Sequence, residues 1–293
     1  MENITEKHSV AVCIATYNRP VGLRRLLDSL RIQSFVHNQI PDWKIIVVEN
    51  DETAPNADYI HTLNKKFPVP IVYAVQPKRG IACVRNLAVE LAQGDDYVAF
   101  IDDDEVASEN WLDELLRVMQ IYKADVVSGP VLPLFENTPE RWIVEGRFFE
   151  RDRHPTGTEI DYGRTGNVLI SSKWFSPTEK PFNESLNLIG GEDTLFFWQI
   201  HGRGAKFVWA DNAIVHEFIP PQRATREYLI RRSKRAGNTI SLVENLENRS
   251  IISKIIRLVK CSGRFILGGV SLLPASLVQG RVGLVKSLCM INR

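Results

Sequence analysis

The stretch Tyr97-Val98-Ala99-Phe100-Ile101-Asp102-Asp103-Asp104 decides how the rest of the chain is read. A short apolar run between Gly94-Asp95-Asp96 and a row of acids has the length and boundaries of a buried strand, with carboxylates at its C-terminal end. In open α/β sheets, ligands bind at that edge. Strand alternation predicts Asp102 and Asp104 on one side and Asp103 on the other. Adjacent ionised acids repel one another. A hard divalent cation such as Mg2+ or Mn2+, which takes oxygen ligands and bridges to phosphates, relieves that repulsion. The competing reading makes one Asp the cap of a helix beginning near Ser108 and leaves the others solvated.

Working outward, Val10 to Ala15 reads as a buried strand and Thr16-Tyr17-Asn18-Arg19-Pro20 as the loop that leaves it. Leu23, Leu26, Leu27 and Leu30 then recur at helical spacing, with Arg24, Arg25 and Arg31 off that face. Lys44 to Val48 is a second strand, ending in Glu49-Asn50-Asp51, and a helix from Asp58 to Phe67 leads to a third strand, Ile71 to Val75. Arg79 to Gln93 reads as a helix closed by Gly94, Trp111 to Tyr122 as another, and Ala124 to Ser128 as a strand. Strands alternating with helices predict a mainly parallel sheet. Right-handed crossovers then gather the loops at 16–20, 49–51 and 102–104 along one rim. There is no G-x-G-x-x-G after the first strand and no G-x-x-x-x-G-K-[ST] anywhere, which argues against a dinucleotide fold or a P-loop. Lys78, Arg79 and Arg85 remain as bases able to meet phosphate at a helix start, or as ordinary surface bases.

The chain has 293 residues, 44% hydrophobic and 24% charged, with a net charge of +1, which is ordinary for a soluble protein, and no nucleic-acid partner is expected. Cys13, Cys83, Cys261 and Cys289 lack any CxxC spacing, which predicts reduced thiols, no zinc site and a cytoplasmic setting. Met1 to Ser9 lacks the basic start and apolar core of a secretion signal. No acid follows Glu247, whereas Arg249, Lys254, Arg257, Lys260, Arg264, Arg281, Lys286 and Arg293 do, so the remainder is net acidic.

Past Ser128, prolines and mixed charge up to Gly166 interrupt regular structure, as in loops that cover a site. Thr165 to Ser171 reads as a strand returning to the sheet. Leu188-Ile189-Gly190-Gly191-Glu192-Asp193 leads into a helix from Thr194 to His201, ended by Gly202; acids in a first helical turn also serve as caps. Lys206 to Val208 and Ala213 to Val215 are short strands before His216, and a basic helix runs from Thr225 to Asn238.

The combination of Ala15-Thr16-Tyr17-Asn18-Arg19-Pro20, Val47-Val48-Glu49-Asn50, Gly80 with Arg85-Asn86, Asp102-Asp103-Asp104 and Gly191-Glu192-Asp193 resembles a family 2 glycosyltransferase of GT-A fold, from about Val10 to Arg235. It is similar to bacterial exopolysaccharide and O-antigen glycosyltransferases. The resemblance implies an inverting, nucleotide-sugar-dependent hexosyltransferase using Mg2+ or Mn2+. Thr16, Asn18, Arg19, Glu49, Asp51, Arg85, Asp102 and Asp103 would bind the nucleotide sugar, with Asp102 at the ribose. Asp104 and His216 would hold the metal, Asp193 would act as catalytic base, and Gly191 and Glu192 would lie on the acceptor loop. The family's usual pair of acids after the second strand is Glu49-Asn50 here, so Glu49 and Asp51 both stand as readers of the base. The Gln-x-x-Arg-Trp element of the family's processive synthases is absent, which implies single addition.

The expected architecture is therefore α/β, a GT-A-type mainly parallel sheet flanked by helices with a C-terminal basic and apolar helical extension. Residues 1–128 would form the nucleotide-sugar half, 129–224 the acceptor and base half of the same domain, and 225–293 a helical segment. In that segment Ile251, Ile252, Ile255, Ile256 and Val259 share one face beside Lys254, Arg257 and Lys260, which suits an anionic membrane surface. Phe265 to Val278 is uncharged but short for a span, and Gly268-Gly269 and Pro274 are expected to break it. The alternative is a docked helical subdomain. A peripheral place on the inner face of the membrane would suit a glycan or polyprenyl-linked acceptor. Two rivals remain open: a sugar-1-phosphate nucleotidyltransferase, and a non-catalytic GT-A domain that binds membrane or nucleic acid through its basic tail.

Overall fold

The structure is a computed structural model that describes residues 7–247 and 251–291. Residues 1–6 of the N-terminal stretch, and Arg249, Ser250 and Arg293 of the basic tail, lie outside them. The elements are β1 (Ser9–Thr16), α1 (Pro20–Arg31), β2 (Asp42–Glu49), α2 (Ala57–Asn64), β3 (Ile71–Val75), α3 (Ile81–Leu91), β4 (Tyr97–Ile101), β5 (Glu105–Ala107), α4 (Trp111–Ile121), β6 (Val126–Ser128), β7 (Val131–Phe135), α5 (Arg141–Glu145), β8 (Asn167–Ser171), α6 (Glu192–Gly202), β9 (Phe207–Trp209), β10 (Val215–Ile219), α7 (Arg226–Leu246) and α8 (Ile251–Ile291).

Seven strands form one sheet in the order β3-β2-β1-β4-β8-β6-β9. It is parallel where β1 meets β2 and β4, where β2 meets β3 and where β6 meets β9. Only β8, which returns between β4 and β6, runs against its neighbours. The central strands are buried on both faces, so their sequences read as continuous apolar runs. Val10, Val12 and Ile14 of β1 pack with Leu23, Leu26, Leu27 and Leu30 of α1 and with α4, whereas Ala11 and Cys13 face α3 and the phenylalanines of α6. Period-two alternation in a strand thus assigns each helix to its layer.

The described chain divides into two compact units. The first holds the residues up to Leu132 and Arg151–Glu217, and the second Pro133–Glu150 with Phe218 onward. In the second unit Ile143, Phe149, Ile219, Leu229 and Val285 form a small core.

Three expectations need correction. The strand expected over 213–215 starts only at Val215, because Ala213 closes a turn onto the Ala210 carbonyl at 3.2 Å, and it continues through His216 and Glu217 to Ile219. The basic helix runs on past Asn238 to Leu246, since no breaker follows and Val243 is buried. Gly268-Gly269 and Pro274 do not interrupt α8; a mid-helix glycine costs about 1 kcal/mol but forbids nothing. The departure comes at Gly280, whose φ of 53° and ψ of −132° are non-helical. Ser271 and Ser287, on either side of it, meet at 2.8 Å through their hydroxyls, so α8 folds back on itself there.

Candidate active site

The chain lays down β1, β2 and β3 in one direction and then returns to place β4 on the other side of β1. That reversal opens a crevice at the C-terminal ends of β1 and β4, the place where open sheets bind ligands. Both ends are polar here. Thr16, the last residue of β1, donates its hydroxyl to Asp103 Oδ2 at 2.9 Å. Arg19 places a single nitrogen, Nη1, 2.7 Å from Asp103 Oδ1 and 2.9 Å from Asp104 Oδ2. Gly22 brings α1 against this turn, since a Cβ there would lie 2.3 Å from the Asp103 carbonyl oxygen.

The alternation expected across the three aspartates does not occur, because the strand ends at Ile101 and Asp103-Asp104 form a turn before β5. Asp103 and Asp104 therefore share Arg19, and Asp102 turns elsewhere. Asp102 Oδ1 lies 3.3 Å from Nη2 of Arg85, on α3. The other arm of the same guanidinium donates to Glu192 Oε1 in the first turn of α6, while Glu192 Oε2 is buried with no hydrogen-bond partner among the described residues. Arg85 thus spans from the end of β4 to the residue preceding Asp193. Asp193 is half-buried, and its Oδ1 accepts from the Thr194 amide at 2.7 Å. Gly191 supplies the left-handed turn, φ 96°, that lets α6 begin there.

Acids outnumber bases around this turn. Burial, together with Asp104 and Asp103, pushes the Asp102 carboxyl up to about 6 against the pull of Arg85. The 41% of its side chain open to water trims that shift without reversing it. Burial also raises Asp103 against Arg19 and Thr16, and raises Glu192 against Arg85. Glu105, which accepts the Asp102 amide at 2.8 Å, is raised well above the usual range by burial and by Asp102. It opposes Glu217 across the antiparallel β5–β10 pair, and Arg151 binds Glu217 at 2.8 Å. The sequence reading missed Glu105, Glu217 and Arg151. A fourth consecutive acid, Glu105, was the available signal.

At the end of β2, Glu49 is fully buried, accepting from Asn56 Nδ2 at 2.7 Å and Tyr73 OH at 2.5 Å. Asn50 donates to the carbonyls of Gln76 and Lys78 at 2.6 and 2.9 Å and accepts from the Gly80 amide at 2.8 Å. An acid could make only the last of these bonds, which accounts for Asn at this position. Asp51 is half-exposed and is held below its ordinary pKa by the hydroxyl and amide of Thr53. Asn18 is exposed with φ 53°. Lys78 pairs with Glu184 at 2.5 Å, and Arg79 lies 4.2 Å over the Tyr17 ring while donating to its hydroxyl.

The two carboxylates around Arg19 already share one cationic centre, so these oxygens are the ones that would hold a hard cation. No three His, Cys, Asp or Glu side chains gather at metal-binding spacing among the described residues, so His216, half-buried opposite Val106, is not drawn into a common group with Asp104 and a further acid.

The family described as Glycosyl transferase family 2 matches residues 11–177. Succinoglycan biosynthesis protein ExoM of Rhizobium meliloti (strain 1021) is 33% identical over 242 residues, 82% of this chain and 75% of that protein. Among solved structures, S. aureus TarS 1-349 in complex with UDP is similar with a TM-score of 0.56 at 15% identity, over 97% of this chain and 90% of that one. GalNAc-T7 with UDP, GalNAc and Mn2+ gives 0.58 at 12% identity, over 77% and 48%. These likenesses show the GT-A fold that the sheet order and crevice already describe. The family match over residues 11–177, more than half of the chain, joined to the ExoM identity, shows that this chain belongs to the family 2 glycosyltransferases.

Proposed function

We propose that the protein moves a hexosyl group, with inversion, from a nucleotide sugar to a hydroxyl of a glycan acceptor during bacterial polysaccharide synthesis. The observation that carries this reading is the convergence of Thr16, Arg19 and Arg85 on the three aspartates, with Arg85 reaching on to Glu192. The names of ExoM and of the UDP-bound neighbours support polysaccharide synthesis and a nucleotide-sugar donor.

In this reading Thr16 and Asn18 line the nucleoside pocket. Asp51 takes the base, because Glu49 is sealed by Asn56 and Tyr73. Asp102 binds the ribose. Asp104, with Asp103 beside it, is where a divalent cation would be held, and His216 would approach it only after a change of arrangement. When bound, that cation supplies positive charge to the departing diphosphate. Asp193 accepts the acceptor hydroxyl's proton as the oxygen attacks the anomeric carbon and the carbon–diphosphate bond breaks, turning an α-linked donor into a β-linked product.

The acceptor is carried on a polyprenyl lipid at an anionic membrane surface. Ile255, Ile256, Leu258, Val259, Phe265, Ile266, Leu267 and Val270 of α8 are exposed large apolar side chains, and Lys260 and Arg264 beside them are exposed too. The side chains of Ile251, Ile252, Lys254 and Arg257 lie outside the described ones. Among the described residues no helix is long and apolar enough to cross a membrane, which fits a surface association.

UDP-, GDP- and dTDP-sugars incubated with Mn2+ should show turnover with one nucleotide class that Asp104→Ala abolishes. Nucleoside triphosphate consumption with a sugar phosphate would instead identify a nucleotidyltransferase, and no turnover at all a binding domain. Phe265→Asp with Leu267→Asp should release the protein from phosphatidylglycerol vesicles; undiminished cosedimentation removes the membrane assignment.

A further inference from the structure

We propose that Arg19 is a built-in counter-ion of the aspartate turn, occupying the place of the divalent cation until the metal displaces it. The inference rests on the reading that this turn holds the metal. Its own evidence is a contrast between two arginines. Arg19 Nη1 sits between two carboxylates, at 2.7 and 2.9 Å, as a small cation would. Its side chain is 42% exposed, while those of Asp103 and Asp104 are 5% and 19% exposed. The guanidinium can swing into water without opening the core, and the acids stay behind. Arg85, by contrast, is 8% exposed and bound to the buried Glu192. It is fixed where Arg19 is releasable.

Asp103 is held by a bond that does not depend on Arg19. Asp103 Oδ2 keeps the Thr16 hydroxyl, and the Asp103 carbonyl lies against Gly22 of α1. Removing Arg19 therefore leaves the Asp103 side of the turn in place. A guanidinium stays charged at all accessible pH, so while the two aspartates are ionised a competing cation is what displaces it. Two consequences follow. Metal alone binds weakly, because it must replace a charge already present. The freed guanidinium is left at the rim of the crevice with its donors unpaired, which favours an incoming diphosphate, so metal and nucleotide assist one another's binding.

The test is Mn2+ binding to the full-length protein, read from the free-ion electron paramagnetic resonance signal, with and without UDP. Arg19→Gln should bind Mn2+ alone on the order of tenfold more tightly than the parent, about 1.4 kcal/mol, and show a smaller gain on adding UDP. Arg19→Lys, which keeps the charge, should stay near the parent and controls for folding. Equal or weaker Mn2+ binding by Arg19→Gln, with Asp104→Asn still abolishing it, overturns the counter-ion role alone. Mn2+ binding unaffected by Asp104→Asn overturns the metal assignment, and this inference with it.

Discussion

Arg85 and Glu192, 107 positions apart in the chain, form a buried ion pair that joins α3 to the first turn of α6. Their side chains are 8% and 3% exposed. Removing one partner of such a pair leaves the other charged and buried, at a cost of about 3–5 kcal/mol, while removing both together can be nearly neutral. Arg85→Met and Glu192→Leu should each lower stability by about 3 kcal/mol, and the double variant by clearly less than the two losses combined. Urea denaturation of the four proteins gives the coupling directly. Additive losses would mean that the pair does not act as a unit.

Asp193 follows Glu192 on the same turn, so the pair also sets where the proposed base stands. Asp193→Asn keeps the shape and the hydrogen bond from the Thr194 amide but cannot take a proton at neutral pH. Transfer should fall about 10²–10⁴-fold, while calorimetric affinity for the nucleoside diphosphate stays within about twofold. A variant that loses both together would place Asp193 in donor binding.

How much of this was legible in the sequence depends on distance along the chain. Leu23, Leu26, Leu27 and Leu30 declare α1 by spacing alone, and all are fully buried. β5 was missed because Glu105-Val106-Ala107 is short and begins with an acid; only pairing with β10, more than a hundred residues later, makes it a strand. The partners of Arg85 are invisible for the same reason. Nothing local distinguishes an arginine aimed at phosphate from one already bound to a distant glutamate. Asn50 stands where the family resemblance expects an acid, and its amide donors tie β2 to the loop before α3. Local periodicity gives the layers, but the side-chain commitments that shape the crevice are set by tertiary contact.

Gly22 illustrates a substitution whose sign local propensity gets wrong. Alanine improves a helix by about 1 kcal/mol over glycine. Here its Cβ would lie 2.3 Å from the Asp103 carbonyl oxygen, a backbone atom that cannot rotate away. Gly22→Ala should therefore destabilise by about 1–3 kcal/mol and weaken Mn2+ binding by displacing the aspartate turn. A melting temperature equal to or above the parent's would show that α1 can shift without disturbing the site.

Asp125 gives the pH dependence. It stands at the start of β6, accepts the Lys206 amide at 2.9 Å and pairs with Lys173, so it ties β6 to the entry of β9 and to the chain after β8. Burial alone would raise its carboxyl; Lys173 and the Lys206 amide outweigh burial and hold it below the ordinary value of 3.8. A carboxyl whose folded pKa is depressed contributes stability that is complete above the unfolded pKa and disappears as pH falls through the folded one. The contribution belongs to the window above about pH 4 and is lost below it. Asp125→Asn should cost about 1.5–3 kcal/mol at pH 7, the range of a hydrogen bond to a charged group, and progressively less towards pH 3. Denaturation of both proteins across that range checks the sign: a gap that widens on acidification would mean that Asp125 is held protonated in the fold, with Lys173 too well solvated to compensate its burial.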